Sequence, residues 1–169
     1  MRVPFGFLLL AAFAWFSRPS VKSLAMGLPI AFTGLALRAW AAGHLAKNTD
    51  LATSGPYAYT RNPLYIGTLV VAFGFVLAAR SWVLGVLFAL VFLLVYLPVI
   101  ELEEQHLRAI FPSYAEYAED VPALWPRVSR AAGQARFRTA LYWKNQEYQA
   151  FIGMAVAAGL LVFKVLWRR

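Results

Sequence analysis

The chain has no cysteine, which excludes disulfides, thiolate metal sites and a cysteine nucleophile. Histidine is almost as scarce. His44 and His106 are the two imidazoles present, too few for a multi-histidine metal centre. Only 14% of the 169 residues are charged, where a soluble domain carries about a quarter. Eight are acidic and 16 basic, for a net charge of +8, and 61% of the chain is hydrophobic. This composition excludes an ordinary water-soluble fold and makes the bilayer the expected solvent. The length reads as one domain, residues 1–169, with no room for a separate soluble catalytic unit beside a membrane bundle. Internal repeats, low-complexity tracts and a Gly-x-Gly-x-x-Gly fingerprint are also missing.

What the chain does have is apolar length. A spanning helix needs roughly 20 mostly apolar residues, and residues 3–16, 24–46, 64–79, 82–100 and 151–167 approach this. The expected fold is an all-α integral membrane protein of about five transmembrane helices. Residues 3–16 are short enough to be a signal peptide, but Phe16-Ser17-Arg18-Pro19 offers no small-x-small cleavage site, so they are read as a retained first helix. Arg80-Ser81 forms a tight polar turn between the third and fourth spans, which read as a hairpin. Lys164 can snorkel from the last span to the interface. Gly153 and Gly159 in that span lack the four-residue spacing of the usual helix-packing motif.

Because two spans separate the polar stretch 47–63 from the longer one at 101–149, both must emerge on one side. With the N-terminus, that side carries Arg2, Lys47, Arg61, Arg108, Arg127, Arg130, Arg136, Arg138 and Lys144, against Arg18, Lys22, Arg80, Arg168 and Arg169 opposite. Nine basic residues against five place the polar stretches in the cytoplasm. Residues 129–149 read as an amphipathic helix on anionic lipid, with Phe137, Ala140, Leu141 and Tyr148 on one face. Scattered basic residues of this kind do not form the stripe needed for nucleic acid.

Chemistry must reside in the polar stretches. In the first, Gly55-Pro56 sets a turn, and Pro63 opens the third span, so Arg61 sits beside a helix N-terminus that favours an anion. Turn punctuation with a lipid-phosphate anchor explains the same residues. In the second, Glu101, Glu103 and Glu104 gather within four residues, with Arg108 one turn from Glu104, a spacing that favours an ion pair. They form either a solvated helix end or a seat for a cationic group. Arg38 and His44 are polar residues within a span, fit for packing or for function. Phe111, Tyr114 and Tyr117 suit an interface or a pocket wall.

The run Ser54-Gly55-Pro56-Tyr57, then Arg61-Asn62-Pro63-x-Tyr65-x-Gly67, two spans, and Glu103-Glu104-x-x-Leu107-x-x-x-Phe111-x-x-Tyr114-x-x-Tyr117 through Val121-Pro122 resembles the integral membrane methyltransferases. These comprise the isoprenylcysteine carboxyl methyltransferases and the related phospholipid N-methyltransferases. The resemblance covers roughly residues 35–126. It implies an S-adenosylmethionine-dependent enzyme with a cofactor pocket on the cytosolic face, built from the loop before the third span and the segment after the fourth. A lipophilic substrate would enter from the bilayer, among membrane lipids, with no metal. Arg61 and Glu104 are the implied catalytic residues. Gly55, Tyr57, Asn62, Tyr65, Gly67, Glu103, Tyr114, Tyr117 and Pro122 are the implied cofactor contacts. Asn62 stands where the family has histidine, and an amide cannot titrate, so a proton shuttle there is not expected. Carboxyl O-methylation of an isoprenylcysteine-like acceptor is the first reading and phospholipid N-methylation the second. An NADPH-dependent membrane reductase of the sterol-reductase type and a non-enzymatic lipid-binding or transport bundle are the alternatives of other classes.

Overall fold

The computed structural model describes residues 11–127 and 135–167. Its regular elements are helical. After a helical stretch at residues 11–16 come α1 (Val21–Ala42), a 3-10 turn (Gly55–Ala58), α2 (Pro63–Ala79), α3 (Trp82–Ile110), α4 (Tyr114–Asp120), α5 (Thr139–Lys144) and α6 (Tyr148–Trp167). Three of these, α1, α3 and α6, are long and apolar enough to cross a membrane. α2 is apolar but shorter, at 17 residues. The expected span at 3–16 lies partly outside the described residues.

α1 and α2 pack antiparallel along a seam of small residues. A Cβ on Gly34 would lie 2.6 Å from the Val71 nitrogen and 2.7 Å from the Gly67 carbonyl oxygen. One on Gly74 would meet the backbone of Ala31 and, at 2.6 Å, the Gly27 oxygen. Lipid is as apolar as leucine, so helices in a bilayer gain from this close backbone approach rather than from burial as such. The far end of the seam is tied by polar groups. Ser20 and Ser23 form a reciprocal capping box at the start of α1, and the Ser23 hydroxyl donates to Ala78 O at 2.8 Å.

The hairpin forms where the sequence places it. Arg80, at φ 50°, ends α2 in the left-handed region, and the Ser81 side chain caps α3. Midway, α3 widens into a π-turn at Phe92–Tyr96, in which Leu97 N–H donates to Phe92 O. Pro98 follows; it lacks an N–H and its ring crowds the carbonyl four residues back.

Four expectations change. α1 ends at Ala42 rather than 46, so His44 lies beyond the helix, its Nδ1 2.9 Å from Ser54 Oγ. The expected continuous helix at 129–149 is, within its described part, a short helix at Thr139–Lys144, then a turn with Gln146 at φ 55°, then the first residues of α6. The cause is a set of long-range bonds: Asn145 Nδ2 donates to Ala42 O and Leu45 O, both at 2.9 Å, and Arg138 N–H donates to Gly43 O. These bonds pull the chain back onto the end of α1, and α6 begins at Tyr148 rather than 151. Lys164 reaches protein instead of the interface, donating to Ala14 O, Ser17 O and Ser17 Oγ.

Gly153 and Gly159 have nothing within 4 Å of an added Cβ. We therefore expect Gly74→Ala to lower the thermal unfolding midpoint by an overpacking cost of about 1–3 kcal/mol, while Gly159→Ala leaves it unchanged. Equal midpoints for the two variants in one detergent would refute the seam.

Candidate active site

The two polar stretches meet at one end of the bundle and are joined through the backbone. Arg61 N–H donates to Pro122 O and Arg127 N–H to Tyr59 O, both at 2.9 Å. Side chains add to this: Thr60 Oγ1 donates to Ala123 O, Asn62 Nδ2 to Ala123 O at 3.1 Å, and Tyr117 OH to Tyr57 O at 2.7 Å. Gly55, at φ 60°, starts the 3-10 turn with its Cα against the His44 ring, so a side chain there is both strained and crowded.

Between the stretches lies a cavity of about 340 Å³, within the ~300–1,000 Å³ range of small-molecule sites. Arg61, Glu103, Glu104, Asn62 and the tyrosines 57, 65, 114 and 117 all line it. Gly67 does not. It belongs to the seam, where an added Cβ would lie 2.5 Å from Arg38 Cγ. Gly55 and Pro122 likewise sit behind the wall, in the turn and as the acceptor for Arg61 N–H.

Arg61 Nη2 stands 3.2 Å from Glu104 Oε1, both side chains 13% exposed. The pair expected between Glu104 and Arg108 is replaced by this one, and the Arg108 guanidinium lies over the Tyr114 ring at 5.3 Å. Arg61 approaches the same ring at 5.9 Å. Asn62 Nδ2 also reaches Glu104 Oε1, at 3.4 Å, and Tyr65 OH donates to Glu103 Oε2 at 2.9 Å. Arg61 Nε and Tyr114 OH are buried and have no hydrogen-bond partner among the described residues. An unsatisfied buried polar atom costs about 1–3 kcal/mol, so the site carries a local cost at the two residues where the motif stretches meet.

Several lining residues carried no signal in either motif. The loop after α1 contributes Lys47, Asn48, Asp50 and Leu51, and α3 contributes Tyr96. Asn48 at φ 57° is the local mark of that loop. Arg38 and Thr68 also line the cavity; Arg38 stood out in the sequence only as a charge within a span.

A family model described as phospholipid methyltransferase matches residues 1–114. The chain belongs to this family. Among similar curated proteins, the cobalt-zinc-cadmium resistance protein CzcN of Cupriavidus metallidurans is 38% identical over 124 residues, 72% of this chain and 56% of the relative. The nickel-cobalt-cadmium resistance protein NccN of Alcaligenes xylosoxydans xylosoxydans is 35% identical over 117 residues, 68% and 54% of the two chains. Protein-S-isoprenylcysteine O-methyltransferase of Schizosaccharomyces pombe is 35% identical over 85 residues, 48% and 36%. The chain thus spans about half the length of the first two relatives. No solved structure matches. The matched span of the phospholipid methyltransferase model takes in the seam, the hairpin and the cavity wall as far as Tyr114. Among the described residues no group of three or more His, Asp or Glu side chains is placed to hold a metal ion.

Burial raises the Tyr57 and Tyr117 hydroxyls above the ordinary phenol value, aided by Glu103 for the first and Tyr114 for the second. Tyr114 is pushed up to about 12, by burial and then Glu104, against the pull of Arg61 and Arg108. A raised folded-state value means stability that is complete below the unfolded pKa of ~10 and lost as pH climbs through the folded one. The unfolding midpoint should hold steady up to pH ~10 and fall between there and about 12. Tyr114→Phe should make that fall shallower; an identical fall in the variant would refute the assignment.

Proposed function

We propose that the chain catalyses S-adenosylmethionine-dependent methyl transfer to a lipophilic acceptor at the membrane, from a cavity that opens to the cytoplasm. The observation that carries this reading is a single cavity lined by residues of both family motifs, which the Arg61–Glu104 pair joins across its wall. When bound, S-adenosylmethionine supplies a methyl group on a positively charged sulfur.

The residues fit its donor and acceptor set. Arg61, which lines the cavity beside Glu104, is the clamp for a carboxylate. Glu104 holds Arg61 in place and, with Glu103, offers oxygens to an ammonium. Tyr57, Tyr65, Tyr114 and Tyr117 provide ring faces and hydroxyls that stay protonated at neutral pH, and rings of this kind attract a sulfonium or ammonium. Asn62 orients Glu104 through its amide without titrating. Gly55, Gly67 and Pro122 serve the cofactor site by shaping the backbone behind it.

The acceptor has two readings. Isoprenylcysteine-like carboxyl O-methylation is supported by the resemblance to the Schizosaccharomyces pombe enzyme. A prenylcysteine carboxylate has an ordinary pKa near ~3.5 and needs positioning but no base. N-methylation of a phosphatidylethanolamine-type amine is favoured by one observation: the Arg61 and Arg38 guanidiniums in the wall each already face a carboxylate, whereas Glu103 has no ion-pair partner among the described residues. An ammonium must lose a proton before it attacks, and Glu103 is then the group to accept it.

Calorimetry on the purified chain should show S-adenosylhomocysteine binding and no NADPH binding. Arg61→Ala and Glu104→Gln should each weaken that binding by about tenfold or more, in line with the loss of a charge-assisted contact, while the protein stays monodisperse. Full affinity in both variants, or preference for NADPH, would refute the methyltransferase reading.

A further inference from the structure

Glu147 lies beyond both sequence motifs, in the turn between α5 and α6, and is the acidic residue in a stretch otherwise marked by Arg136, Arg138 and Lys144. Its carboxylate is 7% exposed and bidentate on Arg38: Nε donates to Oε1 at 2.6 Å and Nη2 to Oε2 at 3.0 Å. Arg38 Nη1 donates to Thr68 Oγ1 at 2.5 Å and Leu64 O at 3.4 Å. Every nitrogen of this guanidinium therefore has a protein acceptor, although the side chain lines the cavity. The turn is built to deliver Glu147. Asn145 is bound to the end of α1 and Glu147 N–H donates to Tyr142 O.

Position makes the pair relevant to the acceptor. Thr68, bonded to Arg38, lines both the polar cavity and a second space of about 380 Å³ between α2 and α3 that is walled by Val71, Phe75, Phe88 and Val91. An amphiphile with its tail in the apolar space would bring its head group past Arg38. In this partly desolvated wall an unpaired guanidinium would be a strong anion site. Paired with Glu147, it is not. Besides Arg38, Arg61 with Glu104, and Lys47 and Asp50 from the loop after α1, the charged residue lining the cavity is Glu103, bonded to Tyr65 OH next to the edge-to-face rings of Tyr65 and Tyr96 at 5.9 Å. A carboxylate beside aromatic faces favours an amine.

We propose that Glu147 determines acceptor specificity: by neutralising Arg38 it withholds an anion site from the cavity wall and leaves the acceptor side selective for amines over carboxylates. The inference rests on the methyl-transfer reading of the same cavity. Glu147 acts through Arg38 and is a positioning residue, so the readout is the ratio of kcat/KM for two acceptors.

The test compares labelled methyl transfer onto dioleoyl phosphatidylethanolamine and onto N-acetyl-S-farnesylcysteine by the full chain in lipid nanodiscs, with S-adenosylhomocysteine affinity measured in parallel. Wild type should prefer the amine. Glu147→Gln should shift the ratio toward the carboxylate by about tenfold or more, as expected for unmasking a charge in a desolvated wall. Glu147→Asp, too short to hold both nitrogens, should shift it less and keeps the question answerable where the Gln variant does not fold. The double variant Arg38→Gln/Glu147→Gln should restore the wild-type preference. Unchanged ratios in the single variants with nucleoside affinity intact, or a wild type that prefers the carboxylate, would overturn this inference and leave methyl transfer standing. Absence of S-adenosylhomocysteine binding and of transfer to either acceptor would overturn both.

Discussion

Where Gly34 faces Gly67 and Gly27 faces Gly74, two helices come so close that neither tolerates a side chain, and the polar end of the molecule is referenced to that contact. In lipid no solvent drives helices together, so a seam of backbone atoms in van der Waals contact must supply the attraction. Its geometry reaches the site directly. Gly67 lies against the stem of Arg38, which sets the guanidinium beside Thr68, and the start of α2 sets Asn62 and Arg61. The hairpin then returns α3 so that Glu103 and Glu104 stand opposite.

Charge is rare in this chain, and both arginines that line the cavity are paired with a carboxylate. Arg61 with Glu104 and Arg38 with Glu147 each join segments distant in sequence. Such pairs are weak sources of stability because desolvation offsets much of the attraction, but removing one partner leaves a buried charge uncompensated. Their value lies in specifying which segments meet. The first pair unites the two motif stretches; the second holds the turn before α6 to the last turns of α1.

Much of this was legible in the sequence. The polar turn at Arg80-Ser81 and the lengths of the flanking apolar runs identify the hairpin, and parity then forces residues 47–63 and 101–149 to one end, where Arg61 and Glu104 do meet. Long-range partners were not legible. Helical spacing favours Arg108 for Glu104, but a partner from another element lies nearer, and spacing within one helix carries no information about that. The end of α1 and the break before α6 depend on Asn145 reaching back about a hundred residues to Ala42 and Leu45. The seam was not read from the sequence, where the glycines weighed for close packing were Gly153 and Gly159; Gly27/Ala31 and Gly74/Ala78 do have the four-residue spacing, but periodicity does not say which span faces which.

The π-turn at Phe92–Tyr96 acts on the helix as a change of phase. One extra residue in a turn rotates everything beyond it by about 100° relative to an uninterrupted α-helix at 3.6 residues per turn. Glu103 and Glu104 lie beyond it. Their direction toward Tyr65 and Arg61 is thus set a full two turns upstream, in the same stretch that brings Tyr96 to the cavity, and shortening that stretch by one residue would swing both carboxylates off the cavity wall while leaving the helix itself intact.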